Sequence, residues 1–87
     1  MSWRIEISKQ AEKDLAWFRK NDRALYLKCF DLTRAVVADP FSGIGKPDHL
    51  KLLGGNVWSR RVSLEHRMVY EVFNGFCIVA AYRYHYE

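Results

Sequence analysis

From Leu25 to Val36 the apolar residues Leu25, Cys29, Leu32 and Val36 fall at i, i+4, i+7 and i+11. A helix puts that spacing on one face, because its 3.6-residue turn brings every third or fourth side chain round to the same side. A shorter stripe of the same period, Ala11, Leu15 and Phe18, precedes it. Ser8 is the predicted N-cap of the first helix, and Asn21 or Asp22 that of the second. Asp39-Pro40 ends the helical half, since the residue before a proline is pushed out of the helical region.

The period then changes. Residues 40–56 hold two prolines and four of the five glycines and are read as a long loop. Segments of that length in small domains are usually functional or mobile. Beyond them β-favouring residues predict strands over 57–63, 67–73 and 76–85. Leu64-Glu65-His66 joins the first two, and Asn74-Gly75 is a strong hairpin signal between the others. Trp3 to Ile7 alternates apolar and polar residues and predicts one more strand at the start. The predicted order is β-α-α-β-β-β. Runs of helices and strands, rather than strict alternation, point to an α+β fold with both helices on one face of a mainly antiparallel sheet. At 87 residues this is a single domain spanning 1–87.

Composition narrows the function class. With 49% hydrophobic and 28% charged residues the chain is too apolar for a disordered tail. No apolar run approaches the ~20 residues of a membrane helix, and Met1-Ser2-Trp3-Arg4 opens no signal-peptide core. A cytoplasmic protein with no membrane partner is expected. Cys29 and Cys77 sit among apolar neighbours and are read as reduced core thiols. His49, His66 and His85 show no metal-ligand spacing, so neither a metal nor any other cofactor is expected. The net charge of +4 and a pI near 9.3 suit an acidic partner.

Local motifs are weak when taken singly. Gly43-Ile44-Gly45-Lys46 looks like half a phosphate loop, but Pro47 follows where Ser or Thr belongs, so a plain connector is the better reading. Strand alternation sends Arg60 and Arg61 to opposite faces, and spacing alone reads both as solvated. Glu65-His66-Arg67 reads as an ordinary polar turn. At the end of the chain Tyr82, Tyr84 and Tyr86 are expected on one strand face, with Arg83 and His85 on the other. Interleaved aromatic and cationic residues suit base stacking and phosphate contact, and equally a tyrosine-rich edge strand. The full inventory, a basic domain with Asp48, His85, several arginines and a terminal tyrosine, fits RNA cleavage without a metal. The 2′-OH is the nucleophile, a carboxylate takes its proton, an imidazole protonates the leaving oxygen, and arginine neutralises the phosphate.

Four blocks, taken in order, sharpen this. They are Gly45-Lys46-Pro47-Asp48-His49-Leu50-Lys51, Trp58-Ser59-Arg60-Arg61-Val62, Glu65-His66-Arg67-Met68-Val69-Tyr70 and Ala81-Tyr82-Arg83-Tyr84-His85-Tyr86. The series resembles the YoeB/Txe toxins, a branch of the RelE-like superfamily of bacterial toxins. The resemblance implies a RelE-like fold and a toxin of a type II toxin–antitoxin system that cuts mRNA in the ribosomal A site. It implies as partners a cognate antitoxin, the ribosome and mRNA, in a homodimer or a toxin–antitoxin hetero-oligomer. It assigns Arg67 to the scissile phosphate, His85 to general acid, Tyr86 to organising the site and Asp48 to general base. Lys51 and Arg61 match RNA-contacting positions, and Arg60 and Arg83 are counted with them as candidate RNA contacts. The same superfamily holds toxins that inhibit DNA gyrase by binding, and a non-catalytic RNA- or ribosome-binding module is a further alternative. Two departures stand out. Asp48 is one methylene shorter than the family's usual glutamate, and an aspartate in water titrates at about 3.9, far from neutral pH. Glu87 adds negative charge beyond the tyrosine that usually ends the chain.

Overall fold

A computed structural model describes residues 3–85. Among them the chain runs β1 (Arg4–Ile7), α1 (Lys9–Asn21), α2 (Arg23–Ala38), β2 (Asp48–His49), a single 3-10 turn (Lys51–Leu53), β3 (Val57–Arg61), β4 (Arg67–Val72) and β5 (Phe76–Tyr84). The strands form one sheet in the order β1-β5-β4-β3-β2. Of the strand pairs among the described residues, β1–β5 is parallel and the rest are antiparallel. This is the expected α+β architecture, with the short β2 added inside the segment read as loop.

Local chemistry sets the helix ends. The Ser8 hydroxyl accepts from the Ala11 N–H at 3.1 Å and caps α1. Asp22 is the joint between the helices. Its N–H closes α1 on the Phe18 carbonyl, and its carboxylate accepts from the Leu25 N–H to start α2. Ala11 and Phe18 on α1 and Cys29, Leu32 and Val36 on α2 are buried against Met68, Tyr70, Val72, Cys77 and Val79 of the sheet. Both cysteines are free and buried, and burial with the nearby Asp14 carboxylate pushes the Cys29 thiol up to about 12. The Tyr82 phenol, also driven up to about 12 by burial, shares a 2.6 Å hydrogen bond with Thr33 of α2. No helix among the described residues is long and apolar enough to cross a membrane.

Two buried ions shape the parts that regular structure leaves out. The first is Arg60, fully buried on β3. Its guanidinium donates to the carbonyls of Asp39 (2.7 Å), Ser42 (2.9 Å) and Ile44 (3.1 Å), while Nε donates to the Tyr70 hydroxyl at 3.0 Å. The Tyr70 hydroxyl in turn donates to the Pro40 carbonyl at 2.6 Å. A glycine-rich loop has no ladder of its own, so this fork supplies the donors its carbonyls need. Gly45 completes the seam. A Cβ there would lie 2.6 Å from Leu32 Cδ2, at φ +86°, and its carbonyl accepts from the Arg61 N–H at 2.7 Å. Glycine at this position thus serves close packing.

The second ion is Asp14, 4% exposed on α1. One carboxylate oxygen accepts the backbone N–H of Tyr82 (2.9 Å) and of Arg83 (3.2 Å), and the other accepts from the Gln10 amide. Those two N–H groups need a partner because β5 is bulged. Its pairing with β4 shifts register twice, between Tyr70↔Val79 and Val69↔Ala81 and again between Val69↔Ala81 and Arg67↔Tyr84. Each bulge places one extra residue on β5 and resets which face follows. The expectation that Tyr82 and Tyr84 share a face is therefore corrected. Tyr82 is buried toward α2, whereas Tyr84 stands opposite Arg67 on the other face.

Hydrogen bonds to a charged acceptor are worth about 1.5–3 kcal/mol each, and a stranded buried N–H costs about 1–3 kcal/mol. Asp14→Ala is expected to lower the unfolding free energy by about 2–4 kcal/mol in urea titrations. A loss below about 0.5 kcal/mol contradicts the anchoring role.

Candidate functional site

The helices cover one face of the sheet and leave the other open. Register assigns residues to that open face. Arg67 alternates with the fully buried Met68, so it points away from the helices, and its cross-strand partners Arg61 on β3 and Tyr84 on β5 share its side. Asp48 pairs with Ser59, two residues along β3 from Arg61, and lies on the same side. Asp48 and Arg67 are thus two strands apart and two residues out of step, on the order of 12 Å between their Cα atoms. A carboxylate and a guanidinium reaching inward from those positions can meet one ribose-phosphate linkage between them.

Lys51 opens the 3-10 turn beside this face. With His49, Leu50, Leu52, Leu53 and Tyr84 it lines a pocket of about 410 Å³. β2 and this turn hold their places through the Leu50 N–H, which donates to the Val57 carbonyl at 2.8 Å, and through His49, whose ring stacks on Trp58 at 5.0 Å. The expected residues Asp48, Lys51, Arg61 and Arg67 therefore share one region, to which three strands and a turn contribute.

Other expected residues lie elsewhere. Arg60 is not solvated as expected: it is fully buried, with its guanidinium committed to three carbonyls and a tyrosine and none of it on the open face. Arg83 is also corrected. The bulge turns it toward α1, where its guanidinium lies 3.6 Å from the Trp17 ring centre, off the face that carries Arg67. His85 follows Tyr84 and faces the same side as Arg83. Its ring stands 4.8 Å from that of His66. The imidazole and the Asp48–Arg67 pair are consequently on opposite sides of the sheet in this structure. Tyr86 and Glu87 lie outside the described residues.

Two residues escape a reading of the sequence. Asp14 sits three residues after Ala11 and four before Phe18, inside the apolar stripe of α1, and a carboxylate there is the available signal. His66 reads as polar turn surface. It is in fact 8% exposed, packs edge-on against Phe18 at 5.1 Å, and its Nδ1 is buried with no hydrogen-bond partner among the described residues. Burial, with the positive charge of His85 and Arg83 nearby, holds the His66 imidazole below its ordinary value of 6.5. The unfolded chain thus binds a proton more readily than the native state does. The contribution of neutral His66 to stability is intact above the ordinary imidazole range and is lost as pH falls through it. Urea midpoints are expected to fall between about pH 7 and about pH 5, and to fall less steeply in His66→Phe. Equal slopes for both proteins contradict the assignment.

Comparison with known proteins shows the family and the fold. Residues 7–86 match the model of a family described as YoeB-like toxin of bacterial type II toxin-antitoxin system. The chain is 37% identical to the toxin YoeB of Synechocystis sp. over 97% of its own length and 98% of that protein. It superimposes on the YoeB dimer of Staphylococcus aureus with a TM-score of 0.87 at 34% identity, covering 99% of this chain and 100% of that one. A YoeB-YefM complex from the same organism gives a TM-score of 0.81 at 35% identity, with the same coverage.

Proposed function

The chain belongs to the YoeB-like toxin family of bacterial type II toxin–antitoxin systems, and from that premise we propose that it is an mRNA endoribonuclease acting in the ribosomal A site. The observation that carries this reading is the shared open face of Asp48, Arg61, Arg67 and Tyr84, beside the Lys51 pocket. In the proposed reaction the 2′-OH attacks the adjacent phosphorus and its proton passes to Asp48. The P–O5′ bond breaks, His85 protonates the departing O5′, and the products are a 2′,3′-cyclic phosphate and a 5′-OH fragment. Arg67 offsets the charge that builds on the non-bridging oxygens, with Arg61 and Lys51 holding flanking phosphates. Tyr86 organises the site in this reading.

His85 must turn from the α1 side to reach that phosphate. It stands one residue beyond the end of β5 and is exposed, so no strand ladder holds it. The short Asp48 side chain places the base nearer to β2 than a glutamate would, which asks the RNA to approach that edge closely.

An antitoxin is the expected regulator, by likeness to the YoeB-YefM assembly, with an acidic segment laid across the basic open face. The cytoplasm is the compartment in which ribosomes and such a partner are met.

The test is 5′-end mapping of mRNA in a bacterial translation extract. Wild-type protein is expected to cut within codons at the A site. Arg67→Ala is expected to slow cleavage by about 10²-fold or more, on the scale of a lost oxyanion donor. His85→Ala is expected to slow it by about 10²–10⁴-fold. Folded variants that cut as fast as wild type overturn the assignment, and loss of supercoiling activity of gyrase without cleavage points to the other branch of the superfamily.

A further inference from the structure

His66 is held more firmly than a turn residue needs to be. Its N–H donates to the Ser63 hydroxyl, and its carbonyl accepts from the N–H groups of both Val62 and Ser63 at 3.0 and 3.1 Å. Its ring is wedged against Phe18 and Trp17 of α1, with centroids at 5.1 and 6.0 Å. The His85 ring rests against it at 4.8 Å and 60°. The neighbouring Arg83 is itself fixed, by Asp14 through its backbone and by Trp17 through its guanidinium. A buried, hydrogen-bonded turn residue therefore stands beside an exposed imidazole at the end of a strand.

We propose that His66 is a positioning residue for His85: it docks the C-terminal imidazole on the α1 side of the sheet, away from the face of Asp48, Arg61 and Arg67, so that cleavage requires His85 to leave this dock. The proposal rests on the reading of His85 as general acid. It adds to that reading the residue that holds His85 in the docked position.

The dock is sensitive to protons. The groups facing His66 are His85 and Arg83 from the C-terminal strand and its end, Asp22 from the joint between the helices, and Glu65 from its own turn. Burial, His85 and Arg83 disfavour its protonated form, and the two carboxylates favour it. Protonation of the wedged His66 ring sets a charge against the His85 ring and beside Arg83, so acid loosens the dock while neutral pH keeps it. A contact between aromatic rings of this kind biases a two-state equilibrium by about two- to tenfold. That factor sets the fraction of toxin withheld from the competent state.

The experiment uses histidine-selective isotope labelling of the whole protein, together with single-turnover mRNA cleavage on ribosomes. In the wild type, nuclear Overhauser contacts between the His66 and His85 rings are expected at neutral pH and are expected to fade toward about pH 5. In His66→Phe the substituted ring keeps the packing on Phe18 but takes no proton, and its contacts to His85 are expected at both pH values. His66→Ala removes the platform and is expected to raise the cleavage rate about two- to tenfold at neutral pH. Absence of ring contacts in the wild type overturns the proposal, whether or not His66→Ala folds. So does a folded His66→Ala that cuts no faster than wild type. Failure of the underlying reading is seen separately, as a His85→Ala protein that still cleaves while the ring contacts in the wild type remain.

Discussion

Asp14 accepts two backbone N–H groups that a regular strand would have given to its neighbour, and this exchange fixes the direction of every described side chain after Ala81. A bulge in β5 frees the N–H groups of Tyr82 and Arg83 beneath α1, where the carboxylate takes the place of water. The buried carboxylate is the partner that makes the irregular strand stable, and the bulge in turn makes the carboxylate tolerable in the core. Once both extra residues are in place, Tyr82 goes to the core, Arg83 to Trp17, Tyr84 to the open face and His85 back toward α1. The division of the C-terminal strand between packing and chemistry follows from one ion on a helix.

Arg60 has the complementary task on the other edge. The segment from Asp39 to Pro47 has little backbone pairing of its own, yet it must deliver Asp48 to the edge of the sheet in register with Ser59. A planar guanidinium can satisfy several carbonyls converging from different directions, and a lysine at the same place would supply a single point of charge. Arg60 therefore supports the site from inside the fold. Its neighbour Arg61, one residue on, lies on the opposite, open face across from Arg67. The basic dipeptide thus divides its two roles by strand alternation.

The parts of this fold that repeat are legible in the sequence. The period of Leu25, Cys29, Leu32 and Val36 marks the buried face of α2, the Asn74-Gly75 turn marks the β4–β5 hairpin, and Ser8 caps α1 as its hydroxyl suggests. The parts that depend on one long-range contact are not. β2 is two residues long and exists only because β3 lies beside it. The two register shifts fall between Val79 and Tyr84, and the run that opens this stretch, Val79-Ala80-Ala81-Tyr82, is apolar on both alternating sets and so carries no phase to read. Arginine is usually solvated, and nothing near Arg60 in the sequence announces the carbonyls that arrive from residues 39–44. The candidate site shows the same pattern: Asp48, Lys51, Arg61 and Arg67 are identifiable through the family likeness and do share a region, whereas the side on which Arg83 and His85 stand depends on the bulge.

The central claim is that the open face, and not the α1 side, is where RNA is held. Single-turnover cleavage of ribosome-bound mRNA by Arg61→Ala and by Arg83→Ala tests this directly, since the two substitutions remove equal charge from opposite sides of one sheet. Arg61→Ala is predicted to weaken cleavage by about tenfold or more, on the scale of a lost charged hydrogen bond, and Arg83→Ala to stay within a few-fold of wild type. A large loss in Arg83→Ala with little change in Arg61→Ala would contradict it.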